Sequence, residues 1–387
     1  MESRFTRQFR FPFRSVVALL LLQTMTLNAC APGRSLPHGK QEPRLQALVE
    51  GELSESVPGV LLHVDYPDKR FFWSGAAGVS DRESKQKLQA DQPFRIASVT
   101  KTFVASAILR LWEDQKLALD DPIIRFIAPA HVALLRQGGY AVEQITIRHL
   151  LTHSSGLFDH TNTKTYLPNV LKNPTHRWTR TEQITEAVTG GKPVGQPGER
   201  FSYSDTGYIL LGEIIETITQ KSLNDALRDL LSFKRLGLIH TAFENTSGRA
   251  GQPQNRLHQY IDGTDTYRFD PSIDLYGGGG LLSTTADLTR FYQALFSHRV
   301  FRQRATLDTM LMKRDYATEA KMDYRMGIYA TKINGLDAFT HAGYWGTQVV
   351  YIPTLKLAMA TNYSQFWAQR GNAPILANAL TELQNGQ

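Results

Sequence analysis

Ala97-Ser98-Val99-Thr100-Lys101-Thr102-Phe103-Val104-Ala105-Ser106-Ala107-Ile108-Leu109-Arg110-Leu111-Trp112-Glu113-Asp114-Gln115-Lys116 is the stretch on which the fold turns. Val99, Phe103, Ala107 and Leu111 fall on one helical face, and Val104, Ile108 and Trp112 flank it. An apolar surface that wide predicts a helix over 97–116, buried on most sides. Asp120-Asp121-Pro122 ends the segment. Ser98 and Lys101 are three residues apart, so their side chains share a face, one turn from each other. A hydroxyl at a helix start lies near free backbone N–H groups and the positive end of the dipole. Lys101 sits one turn deeper, where an ammonium is costly without partners or a task. A serine is a weak nucleophile until an adjacent base activates it, and a desolvated lysine is one such base.

On either side of this helix the period changes. Residues 59–64 and 70–78 are apolar and aromatic, separated by Asp65-Tyr66-Pro67-Asp68-Lys69, which predicts two strands and a turn. The middle of the chain, to about residue 238, reads as mostly helical with long loops. After the glycine run 277–280, Thr284 and Asp287 form a capping-box pattern for a helix through Phe296. Residues 327–333, 348–352 and 357–362 read as strands, and the tail after Trp367 as a closing helix. Strands at both chain ends with helices between them predict an α+β fold. Its central antiparallel sheet is built from both ends and flanked by helices, with an inserted, mainly helical lobe.

The chain has 387 residues, 42% of them hydrophobic, enough to bury a large core. Its net charge of +7 falls to about +4 once the first 29 residues are set aside, too little and too scattered to indicate nucleic acid. Arg4, Arg7, Arg10 and Arg14 precede an apolar run over 16–22, and small residues lead to Cys30, the only cysteine. This is the layout of a secretory signal peptide. Leu27-Asn28-Ala29-Cys30 resembles a bacterial lipobox, with Asn28 as its departure. The expected organisation is a lipoprotein signal peptide over 1–29, a tether over 30–44 and one domain over 45–387. Lipidation at Cys30 would hold the domain on a bacterial envelope membrane. One cysteine allows no internal disulfide.

Two further clusters carry chemistry. Phe201-Ser202-Tyr203-Ser204-Asp205 follows a Pro/Gly-rich loop and precedes an apolar helix over 209–218. A tyrosine and an acid two apart in an extended segment point the same way. Tyr203 is placed to relay a proton, and Asp205 to hold Lys101. His341-Ala342-Gly343-Tyr344 lies at the entry to the C-terminal strands, where glycine admits close backbone approach and an edge strand offers N–H groups. Ser84-Lys85-Gln86-Lys87 repeats the serine–lysine spacing, but within a polar run that reads as an exposed turn.

Taken in order, Ser98-x-x-Lys101, Tyr203-x-Asp205 and His341-x-Gly343 resemble the motifs of the penicillin-recognising serine hydrolases. These include class C β-lactamases, D-alanyl-D-alanine carboxypeptidases and related esterases. Ile145-Thr-Ile-Arg-His-Leu-Leu-Thr-His-Ser-Ser-Gly-Leu157, Pro197-Gly198-Glu199 and Gly279-Gly280-Leu281-Leu282-Ser283-Thr284 agree with the same family. The resemblance implies a β-lactamase-like fold over about 49–380 and a serine hydrolase that needs no cofactor or metal. It implies acylation of Ser98, proton movement by Lys101 and Tyr203, and an oxyanion hole from the N–H groups of Ser98 and Tyr344. The chain departs from the family at three places. Asp205 stands where Asn is usual, Ala342 where a hydroxyl is usual, and His341 where many relatives carry lysine. The last two weaken a carboxylate anchor and point to esters or amides rather than penicillins or D-Ala-D-Ala peptides. A carboxylate beside Lys101 favours its ammonium form. That points to a charged Lys101 supporting a deprotonating Tyr203, with lysine as base the alternative.

Two rival readings are open. His149, His153, Asp159 and His160 cluster with partial metal-ligand spacing, but without the glutamate of the zinc-protease motif. An inactive binding or sensor protein on the same scaffold is the other. Tyr260, Tyr267, Trp345 and Trp367 are aromatic candidates for the pocket lining.

Overall fold

The computed structural model describes residues 41–244, 255–317, 322–366 and 374–385. The signal segment, Cys30 and Trp367 lie outside the described residues. Helix α1 (Gln41–Gly51) starts four residues ahead of the expected domain start and buries Leu45 and Val49.

A seven-stranded sheet is built from β1 (Gly59–Tyr66), β2 (Phe71–Gly78), β3 (Asp323–Tyr324), β4 (Tyr329–Ile333), β5 (Leu336–Gly343), β6 (Thr347–Ile352) and β7 (Leu357–Tyr363). The spatial order is β2-β1-β7-β6-β5-β4-β3, with every neighbouring pair antiparallel. Among the described residues the first strand therefore pairs with the last, Val60 opposite Tyr363, in the middle of an open sheet. Both faces are covered. Val60, Leu62, Val64, Val350 and Met359 pack with Leu45, Val49 and the residues of α6 (Ile375–Asn385). Leu61, Val349, Ala358 and Ala360 face the other way, into the main core with α5 (Thr285–Phe296). Burial on both faces explains why β1 and β7 read as continuous apolar runs rather than alternating ones.

The helical lobe, which includes α3 (Arg180–Gly190), is organised around α2 (Thr100–Glu113), in which every residue from Thr100 to Leu111 is buried. The expected helix over 97–116 is thus divided. Ala97–Val99 forms a 3-10 turn, and the α-helix ends at Glu113. Ala97 has φ of +45°, a left-handed conformation that is rare outside glycine. It swings the chain from the short strand Phe94–Arg95 into the helix and sets the direction of Ser98. Thr284 caps α5 through the amide of Asp287, as its spacing predicts. The Asp287 carboxylate turns instead to His240, Thr241 and Arg290.

The strand that leads to Ser98 is anchored by a buried ionic cluster. Glu244 takes Nε of Arg95 at 2.6 Å and its Nη2 at 3.2 Å, and Nε of Arg256 lies 3.5 Å away. Arg95 also donates to the carbonyls of Thr266 and Phe269. Burial pushes the Glu244 carboxyl up, but the two guanidiniums outweigh it and hold the group below its ordinary 4.5. Removing one member strands a buried charge. Glu244→Ala is expected to cost about 3–5 kcal/mol in urea unfolding at neutral pH. Because the folded carboxyl is depressed, this stabilisation is present above about pH 4.5 and drains away as acid protonates it. The wild-type and variant curves are therefore expected to converge in acid.

Candidate active site

Ser98 stands between two compartments. The larger, open one measures about 710 Å³ and is lined by Asp159, Tyr203, Asp205, His341 and Gly343 among others. The smaller measures about 270 Å³ and shares Ser98, Asp205 and Tyr344 with it.

Lys101 is fully buried, and its ammonium meets three acceptors. It donates to Ser98 Oγ at 2.9 Å, to the carbonyl oxygen of Gly278 at 2.5 Å and to Asp205 Oδ1. An ammonium has three N–H bonds and no lone pair, so this set satisfies the charged form completely. Asp205 reaches Lys101 because it opens helix α4 (Asp205–Thr219) rather than continuing an extended segment, which corrects the expected geometry. A carboxylate in a first helical turn is also favoured by the dipole. Gly278 comes close to Asp205, where an added Cβ would lie 3.2 Å from Oδ1.

Tyr203 lines the open compartment with Ser98, and Lys101 Nζ lies 5.0 Å from the centre of its ring. Burial, with the Asp205 charge, pushes the phenol well above its ordinary range, and the neighbouring Ser98 hydroxyl only partly opposes this. The resting tyrosine is therefore held as a neutral phenol.

His153 holds this tyrosine in place. Its carbonyl accepts the Ser202 amide at 2.7 Å, its Nδ1 accepts the Ser204 amide at 3.1 Å, and its ring packs on Tyr203 with centroids 4.1 Å apart. Those contacts require a neutral imidazole, and burial with the nearby Lys101 charge depresses its basicity well below the usual range. His149 bonds the Thr146 amide in a helix capping box, and His160 contacts Thr206. One ring nitrogen of each histidine that suggested a metal, His149, His153 and His160, is thus engaged, by Thr146, Ser204 and Thr206 in turn.

His341 and Gly343 lie on β5, an inner strand that sequence reading left out. Pairing with β4 ends at Thr340 while pairing with β6 runs on to Gly343, so one side of 341–343 faces the open compartment. The edge is local. A side chain at Gly343 would bring Cβ within 2.2 Å of the Ile96 carbonyl; glycine therefore lets β5 press against the turn that carries Ser98. His341 is buried, bonds the Ala342 carbonyl through Nδ1 at 2.8 Å, and is depressed by burial and Lys101 to about 3. It is neutral.

Two more acids border the site. Asp159 and Asp274 are each pushed up to about 7, first by burial and then by the Asp205 charge. Asp159 had stood out only as a possible metal ligand, and Asp274 carries no local sequence signal. Trp345 lines the smaller compartment, whereas Tyr267 stacks on His258 and the Tyr260 hydroxyl takes the Arg82 amide. Ser84 lies in an exposed turn held by Asp81.

A family model described as Beta-lactamase matches residues 44–375. The chain belongs to the beta-lactamase family. Protein flp of Staphylococcus aureus (strain N315) is 29% identical over 250 residues, covering 64% of this chain and 47% of that protein. The chain thus spans about half the length of the sequence relatives it matches. A D-stereospecific amidohydrolase from Streptomyces sp. superposes with a TM-score of 0.73 at 25% identity, covering 85% of this chain and 96% of that one. A D-amino acid amidase from Ochrobactrum anthropi SV3 shares the fold with a TM-score of 0.74 at 22% identity, covering 90% and 99%.

The His153 contacts generate a prediction. His153→Ala leaves the Ser204 amide without its acceptor, at about 1–3 kcal/mol, and puts a Cβ-bearing residue without a polar side chain at φ of +53°. His153→Asn keeps an acceptor and tolerates that backbone. With both variants folded, Ser98 labelling by a fluorophosphonate is expected to slow on the order of 100-fold in the alanine variant, and the asparagine variant is expected to recover part of that loss.

Proposed function

We propose that this protein is a serine hydrolase that forms an acyl-enzyme at Ser98 on esters or amides lacking a carboxylate beside the reactive carbonyl. The observation that carries this reading is the Lys101 ammonium, donating to Ser98 Oγ while also bound to Asp205 and the Gly278 carbonyl. With Lys101 donating, the serine proton is free to pass to Tyr203, which lines the open compartment with Ser98. As Oγ bonds to the carbonyl carbon, Tyr203 takes the serine proton and hands its own to the leaving group, whose bond then breaks. Lys101 stabilises the charge developing on Oγ. Water retraces the route: Tyr203 takes its proton and returns one to Ser98 as the acyl bond breaks. The N–H groups of Ser98 and Tyr344 receive the oxyanion, and losing one such donor costs about 3–4 kcal/mol in comparable sites. Close packing of Gly343 on Ile96 supports this pairing of strand and turn.

The electrostatics support uncharged substrates. Among the described residues the open compartment is lined by Asp159, Asp205 and Asp323 and by no lysine or arginine. Neutral His341 and apolar Ala342 stand where a carboxylate anchor would be. An esterase or amidase fits better than a β-lactamase or D-alanyl-D-alanine carboxypeptidase.

A fluorophosphonate is expected to add one adduct at Ser98 by mass spectrometry, with none in Ser98→Ala. A folded wild-type protein that takes no adduct would favour the binding-protein reading. Benzylpenicillin methyl ester is expected to acylate faster than benzylpenicillin, the reverse order defeating the charge argument.

The proposed setting is a bacterial envelope membrane, with the domain tethered through lipid on Cys30. Fractionation of expressing cells is expected to find wild type with membranes and Cys30→Ala in the soluble fraction.

A further inference from the structure

The two compartments around Ser98 differ in a way that assigns them to different halves of the substrate. Leaving-group departure needs a proton from Tyr203, so the leaving group must lie within reach of that hydroxyl. Tyr203 lines the open compartment and is absent from the lining of the smaller one, while Ser98 lines both. The part of the substrate that stays on Ser98 then belongs to the smaller compartment.

That compartment is a mainly apolar slot. Tyr166, Leu167, Val170, Ile261, Ile273 and Trp345 line it, and Thr161, Asn162, Asp205 and Asp274 complete the lining with Ser98 and Tyr344. Its aromatic polar atoms are already engaged. The Tyr166 hydroxyl donates to the Ile273 carbonyl at 2.6 Å and accepts from Gln183, and Trp345 Nε1 donates to Asp274 at 3.1 Å. What these side chains offer the cavity is ring face and edge. Leu167 and Tyr344, 37% and 39% exposed, carry the apolar lining out to solvent. An apolar cavity of roughly 150 Å³ holds a benzene ring, and this one measures about 270 Å³. Among the described residues its titratable acids are Asp205 and Asp274, and no lysine or arginine lines it.

We infer that the slot is an acyl subsite selecting bulky apolar acyl groups, phenylacetyl or medium-chain alkanoyl in kind, and rejecting acyl groups that end in a carboxylate. The inference rests on the hydrolase reading above and adds the substrate class. The test is kcat/KM for p-nitrophenyl acetate, butyrate, hexanoate, phenylacetate and hydrogen succinate, in wild type and Ser98→Ala. Wild type is expected to gain about fourfold per methylene from acetate to hexanoate, to favour phenylacetate over acetate, and to turn over the succinate more slowly than the butyrate. Val170→Trp fills the slot and is expected to cut the hexanoate-to-acetate ratio at least tenfold. Leu167→Trp, at the exposed lip, tests the same point should the buried substitution unfold the protein. A flat or falling series with Ser98-dependent acetate turnover overturns the inference. So does a gain that follows the alcohol, read by comparing benzyl acetate with methyl phenylacetate. Absence of Ser98-dependent turnover on every ester instead fails the hydrolase reading, and the slot assignment with it.

Discussion

A buried ammonium imposes the constraint around which this site is arranged. Lys101 has no exposed surface, and an isolated charge there would cost several kcal/mol. Three acceptors from three distant parts of the chain offset that cost: Ser98 from the preceding turn, Asp205 from the start of α4 and the carbonyl of Gly278. Each then becomes fixed relative to the others. The helix that carries Lys101 is itself gripped closely, since a side chain at Gly327 would meet the Lys101 carbonyl at 2.8 Å and Ala105 Cβ at 2.5 Å. Charge satisfaction and close packing thus act on the same turn of helix.

The same constraint shapes the protonation of the neighbours. Asp205 lowers the cost of the ammonium but raises the cost of any second anion nearby; burial first, and this charge added to it, keep the Tyr203 phenol intact and push Asp159 and Asp274 up. Lys101 in turn keeps His153 and His341 neutral, adding to burial. A neutral His153 can accept the Ser204 amide, and an imidazolium could not. The site therefore holds an ammonium with its carboxylate, beside neutral phenols and imidazoles and the two raised acids Asp159 and Asp274.

How much of this was legible in the sequence depended on the range of each interaction. Helix α2, β1 and β2 announce themselves through local periodicity, and the sheet from both ends follows from apolar runs at both termini. Strand β5 did not, because Leu-Asp-Ala-Phe-Thr-His-Ala-Gly mixes polar and apolar residues without alternation. Tyr203 and Asp205 stood out by spacing, but that spacing read as extended chain although Ser204 stands at the N-cap of the helix that Asp205 opens. Asp274, Gly278 and the tie between His153 and Tyr203 were out of reach. They join residues 50 or more positions apart, where no pattern along the chain records the contact.

The proposed oxyanion hole would be held by a side chain from yet another segment. In that proposal two N–H groups meet one oxygen, one from the turn at Ser98 and one from the residue after Gly343. Close packing of Gly343 on Ile96 sets their approach, but packing alone leaves the two strands free to slide. Gln259 removes that freedom. It is fully buried, accepts the Arg95 amide at 2.9 Å, and donates to the carbonyls of Arg95 at 3.0 Å and Trp345 at 2.8 Å. Arg95 lies three residues before Ser98 and Trp345 one after Tyr344. A single amide side chain therefore spans the two backbones just outside the proposed hole. The buried Glu244 cluster fixes Arg95 from its other side, so the ionic anchor of the fold and the alignment of the proposed hole meet at one residue.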